Sequence, residues 1–106
     1  MRLKSYGYVK LNDRELSNSE FSDLRAAFKN LKSTVYSFNM KPDLILYCYD
    51  DIDDKGADMF CIFLKDELIY EGDYFYAWAD EMKGLKSNCY RLNEDTFYLL
   101  QSLSGK

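Results

Sequence analysis

Two apolar runs constrain this chain more than anything else in it. Asp43–Asp50 contains Leu44-Ile45-Leu46-Tyr47-Cys48-Tyr49, and Asp58–Leu64 contains Met59-Phe60-Cys61-Ile62-Phe63-Leu64. Each has the length of a strand and is apolar at odd and even positions alike, the pattern of central strands covered on both faces. A short turn at Lys65–Glu67 leads to a third run, Leu68–Glu71. Residues 43–71 therefore read as a three-stranded meander.

The flanking segments supply the cover. Residues 2–11 alternate, with Leu3, Val9 and Leu11 on one face and Lys4, Tyr6, Tyr8 and Lys10 on the other, which predicts a half-buried strand. Ser17 and Glu20 are spaced as a capping box, and Leu16 and Phe21 as a hydrophobic staple. Phe21, Leu24, Phe28, Leu31 and Val35 then form one apolar stripe, predicting a helix over about 18–35. Asp73 is a suitable N-cap for a second helix, in which Tyr74, Ala77, Trp78, Met82 and Leu85 share a face. Cys89–Leu92 reads as a short strand, and Asn93 caps a last helix over about 94–104. The expected class is α+β, a single domain over 1–106, with a mostly antiparallel sheet of about five strands and three helices in the order βαβββαβα. Without the extra strand and last helix, this order matches the split β-α-β arrangement of ferredoxin-like domains.

A chain of 106 residues with 47% hydrophobic content can bury a core without covalent staples. No apolar run reaches the roughly 18 residues a membrane span needs, and Met1-Arg2-Leu3-Lys4 is not followed by an apolar leader. A cytoplasmic protein is expected. The three cysteines, Cys48, Cys61 and Cys89, sit in apolar segments and read as reduced core residues, although a Cys48–Cys61 bridge across a hairpin is geometrically allowed. Histidine is absent, which removes the commonest general base and transition-metal ligand. No phosphate-binding glycine loop and no nucleophile with an evident base is present. No enzymatic activity and no cofactor are expected.

Charge is unevenly distributed. Between Asp43 and Glu81 lie twelve acidic residues and two basic ones, whereas residues 1–42 carry eight basic and four acidic. The loop from Asp50 to Asp58 holds Asp50, Asp51, Asp53, Asp54 and Asp58. Asp51-x-Asp53-x-Lys55-Gly56 opens like a calcium loop, but the fifth and twelfth ligand positions hold Lys55 and Ile62. Glu67, Glu71, Asp73 and Asp80 extend the acidic region, and Tyr76 lies beside the last two on the predicted second helix. Tyrosine next to carboxylate offers rigid contact area and charge complementarity to lysine or arginine. Asp50, Asp51, Asp53, Asp54, Asp58, Glu67, Glu71, Asp73, Tyr76 and Asp80 are therefore the expected partner-binding residues. Lys4, Tyr6, Tyr8 and Lys10 together have the ingredients of a base-stacking face, but overall acidity opposes phosphate binding, and direct nucleic-acid binding is not expected.

The function these features favour is a small acidic inhibitor that docks on a basic protein, such as a nuclease or a nucleic-acid-binding complex. Immunity proteins, antitoxins and phage anti-defence proteins have this general character, some of them imitating nucleic-acid charge. Two alternatives follow from the same residues. One is a divalent-metal-dependent enzyme using the Asp50–Asp58 loop; the other is a homo-oligomeric structural domain, a homodimer being its simplest form.

Overall fold

The apolar runs form the middle of a seven-stranded sheet in the computed structural model, which describes residues 1, 3–34, 41–51, 56–72 and 89–105. In chain order the elements are β1 (Tyr8–Leu11), β2 (Arg14–Glu15), α1 (Asn18–Phe28), β3 (Lys32–Ser33), β4 (Leu44–Tyr49), β5 (Asp58–Phe63), β6 (Leu68–Glu71), β7 (Cys89–Arg91) and α2 (Glu94–Ser104). The sheet order is β2-β1-β4-β5-β6-β7-β3, and every pairing is antiparallel. The class is α+β, as expected, with seven strands and two helices among the described residues. The helix expected from Asp73 to about residue 85 lies outside them.

The two additional strands are two residues each, too short to show periodicity. Asn12 makes the first one. It adopts φ 52°, a left-handed conformation that asparagine tolerates better than most residues. Its N–H donates to the Ile45 carbonyl at 2.8 Å, and its side-chain oxygen accepts from the Ile45 N–H at 2.8 Å. Asn12 thus continues the β1–β4 ladder while the chain turns back into β2.

The ferredoxin-like topology is not adopted. That arrangement inserts a later antiparallel strand between the two strands joined by the first helix. Here β1 and β4 are direct antiparallel neighbours, with Val9 opposite Cys48 and Leu11 opposite Leu46. The chain reaches this geometry by leaving α1 for β3 at the far edge, where Lys32 pairs with Arg91 and Ser33 with Tyr90. This pairing also ends α1 at Phe28, earlier than expected. Leu31 is still buried, because a turn in which its N–H reaches the Phe28 carbonyl keeps it on the same side.

Both helices cover one face of the sheet. Phe21, Leu24 and Phe28 of α1 and Leu100 of α2 join Val9, Leu11, Leu44, Leu46, Phe60, Ile62 and Ile69 in one core. The capping box is present, with the Ser17 hydroxyl accepting from the Glu20 N–H and the Glu20 carboxylate accepting from the Ser17 N–H. That backbone hydrogen bond, together with Arg14, holds the Glu20 carboxyl below the usual carboxylate range. Arg14 also donates to the Leu103 carbonyl at 2.6 Å, tying the end of α2 to the start of α1. The last helix agrees with its predicted bounds: Asn93 accepts from the Thr96 N–H, and Gly105, at φ 74°, closes onto the Gln101 carbonyl.

The opposite face differs along the sheet. Cys61, Phe63, Leu68, Tyr70 and Cys89 form a second buried cluster on β5, β6 and β7. On β4, by contrast, Ile45, Tyr47 and Tyr49 are only half-buried. Full burial on both faces therefore holds for Phe60–Phe63 of β5 and not for β4. Cys48 and Cys61 point to opposite faces, so the bridge between them that hairpin geometry allowed does not form, and Cys48, Cys61 and Cys89 are not joined in disulfides.

Candidate functional site

The acidic hairpin end is organised by the segment that precedes β1. Asp50 follows β4 directly, and Asp58 opens β5 opposite Cys48, so both carboxylates stand at one end of the sheet. The Lys4 Nζ lies 3.2 Å from Asp50 Oδ1 and 3.9 Å from Asp58 Oδ2. The Tyr6 hydroxyl donates to Asp58 Oδ2 at 2.6 Å. The Lys4 ammonium also sits 5.1 Å from the centre of the Tyr6 ring. Lys4, Asp50 and Asp58 are largely exposed, and exposed ion pairs contribute little to stability, so they matter for position more than for folding.

Tyr6 departs from the alternation read in the sequence. It packs edge-on against Phe21 of α1, with ring centres 6.1 Å apart, on the helix-covered side. Tyr8 remains on the other side, tilted against Tyr49 at 5.6 Å. The break falls at Gly7, whose N–H donates to the Tyr49 carbonyl at 3.0 Å. Lys4, Tyr6, Tyr8 and Lys10 therefore do not form one continuous stacking face. Burial pushes the Tyr6 phenol above its ordinary pKa, and the hydrogen bond to Asp58 and the charge of Asp58 add to that shift.

Glu71 joins this end from the neighbouring strand. It pairs with Phe60 on the face that carries Ile69, and lies diagonally across from Asp58. Tyr6, Asp58, Phe60, Glu71 and Gly72 line a cavity of about 490 Å³. Glu71 also acts on Tyr90: burial first, and then the Glu71 charge and a hydrogen bond to it, raise the Tyr90 phenol. Two tyrosines thus face two carboxylates, Tyr6 with Asp58 and Tyr90 with Glu71.

The remaining acidic candidates divide. Asp51 is exposed beside Asp50. Glu67 is at the opposite end of β6, roughly 13 Å away at 3.3 Å per residue. It occupies the turn with φ 55°, accepts from the Leu92 N–H at 2.8 Å, and lines a separate cavity of about 300 Å³ with Glu94, Phe97 and Tyr98. The acidic stretch thus supplies two ends of the sheet. Asp53, Asp54, Asp73, Tyr76 and Asp80 lie outside the described residues. Among the described residues, no three histidine, cysteine or acidic side chains converge as a metal site. No helix among them is long and apolar enough to cross a membrane.

Sequence reasoning missed Lys4, Tyr6 and Phe60 as parts of this site. The available signal was Gly7, a residue without a side chain inside an alternating strand, which often marks a bend or a close backbone approach.

Two of the buried cysteines, Cys48 and Cys89, are held in the protonated thiol form. Burial pushes Cys48 up to about 12, with the Asp58 charge adding to it, and burial likewise pushes Cys89 up to about 12. Both should resist thiol-modifying reagents at pH 8 until the protein is unfolded in urea, when all three cysteines react. Because the folded state holds these protons more tightly than the unfolded chain, their contribution to stability should be level below about pH 9 and decline as pH rises from 9 toward 12. Urea unfolding at pH 8, 9.5 and 10.5 measures that decline; an increase in stability over this range would contradict it.

Comparison with protein-family models, curated proteins and solved structures finds no match to this chain.

Proposed function

We propose that this protein is a small inhibitor that docks on a basic protein through the hairpin end of its sheet. The observation that carries this reading is the gathering of Asp50, Asp51, Asp58 and Glu71 at one end of an antiparallel sheet, beside an open cavity. A surface of one sign, held on strand ends, speeds encounter with an oppositely charged partner and fixes its orientation. Nucleases and nucleic-acid-binding complexes present basic surfaces because they neutralise phosphates, and carboxylates held at fixed spacing compete for the same cations. Inhibition by covering such a surface requires no catalytic group. The settings that fit are immunity to a nuclease toxin and blockade of a host defence complex by a mobile element.

The test is affinity capture from the native host with the wild-type protein and with an Asp50→Asn, Asp51→Asn, Asp58→Asn variant. Wild-type protein should retain a basic protein at 50 mM salt and release it as salt rises. The variant should keep its melting temperature within a few degrees and lose at least about tenfold in affinity. Equal capture by both proteins, or capture insensitive to salt, would remove the hairpin end from the docking surface.

A further inference from the structure

We infer that the cavity between Tyr6, Asp58, Phe60 and Glu71 is a socket for one arginine side chain of the basic partner. The inference deepens the docking reading and rests on it. Three independent features converge. The first is shape: a cavity of about 490 Å³ is well above the space one guanidinium needs and within the size range of small-molecule sites.

The second is the placement of charge. Phe60 pairs with Glu71, and Asp58 is two residues before Phe60 on the same face. Diagonal neighbours of this kind stand about 7–8 Å apart, a gap that a planar guanidinium can bridge by donating to both carboxylates. Among the described residues no lysine or arginine forms an ion pair with Glu71.

The third is the protein's own cation. The Lys4 ammonium already lies over the Tyr6 ring and within reach of Asp58, yet Lys4 does not line the cavity. The same ring and carboxylate therefore accept a cation at the rim and leave the interior unfilled by it. Arginine suits the interior better than lysine, because its flat head can stack on Tyr6 while its fork addresses two carboxylates. Lys4 is then a neighbour that competes for Asp58, and removing its charge should strengthen the socket.

The test uses N-acetyl-arginine methylamide as the probe, titrated into the whole protein and followed by backbone amide NMR. Saturable shifts are expected at Asp58, Phe60, Glu71 and Gly72, with weaker binding of N-acetyl-lysine methylamide. Glu71→Gln should weaken the arginine probe at least about tenfold, as expected for loss of a charge-assisted hydrogen bond. Lys4→Met should tighten it. Shifts reproduced by sodium chloride at equal ionic strength, or unchanged affinity in Glu71→Gln with its fold intact by NMR, would overturn the socket. The two proposals fail separately. Salt-sensitive capture of a basic protein that is unaffected by Glu71→Gln leaves docking in place and removes the socket. Arginine binding without any captured basic protein keeps the socket and removes the docking reading.

Discussion

Truncating Phe28 to alanine is expected to cost about 3–5 kcal/mol of folding stability. Phe28 has no exposed surface and ends α1, where it joins the core shared by both helices and the sheet. Its removal leaves a cavity that neighbours on two layers cannot both collapse into, so the cavity term adds to the lost transfer energy. Small domains are stable by only about 5–15 kcal/mol, so the variant should be partly unfolded at 37 °C. Urea unfolding monitored by circular dichroism measures the change in midpoint. Tyr98→Ala is the control, because Tyr98 is 59% exposed and should change stability by less than about 1 kcal/mol. If the two variants unfold alike, α1 does not pack as described.

Replacing Gly7 with alanine should be the most damaging substitution outside the core, at about 1–3 kcal/mol. A Cβ there would lie 2.4 Å from the Asp50 carbonyl oxygen and 3.3 Å from its carbonyl carbon. The obstacle is backbone, so no side chain can rotate out of the way. The Gly7 N–H is also bonded to the Tyr49 carbonyl, which holds the two strands together at that point. Relief therefore requires the end of β4 to move, and Asp50 moves with it. The expected result is a lowered urea midpoint together with amide shifts concentrated at Tyr49, Asp50 and Asp51. Wild-type stability in this variant would contradict the close approach.

Much of the fold was legible because single residues carry unambiguous signals. Ser17 and Glu20 marked the start of α1, Asn93 marked the start of α2, and the apolar runs defined β4, β5 and β6. The end of α1 was not legible, because the spacing of Phe28 and Leu31 suits a continuing helix and a turn equally well. What decided it was a partner distant in sequence, the edge of β7 that Lys32 and Ser33 complete. The strand order had the same difficulty: local patterns name elements but not neighbours. For the site, charge composition indicated Asp50, Asp58 and Glu71, yet placed Glu67 with them. Only the direction of β6 separates Glu67 from Glu71. Tyr6 was misread because strict alternation was carried through Gly7.

The path of the chain around the sheet has one further consequence. Among the described residues, β2 and β3 are the two outermost strands, and residues 14–33 contain both of them with α1 between. One continuous stretch of chain thus closes both margins of the sheet, like a bracket. Each margin is only two residues long, too little backbone to template pairing with another molecule. Without residues 14–33 the sheet would end on the longer strands β1 and β7. Loss of this one segment would expose both edges to self-association at once. Selection against aggregation would act on the residues that fasten α1, whatever partner the acidic end meets.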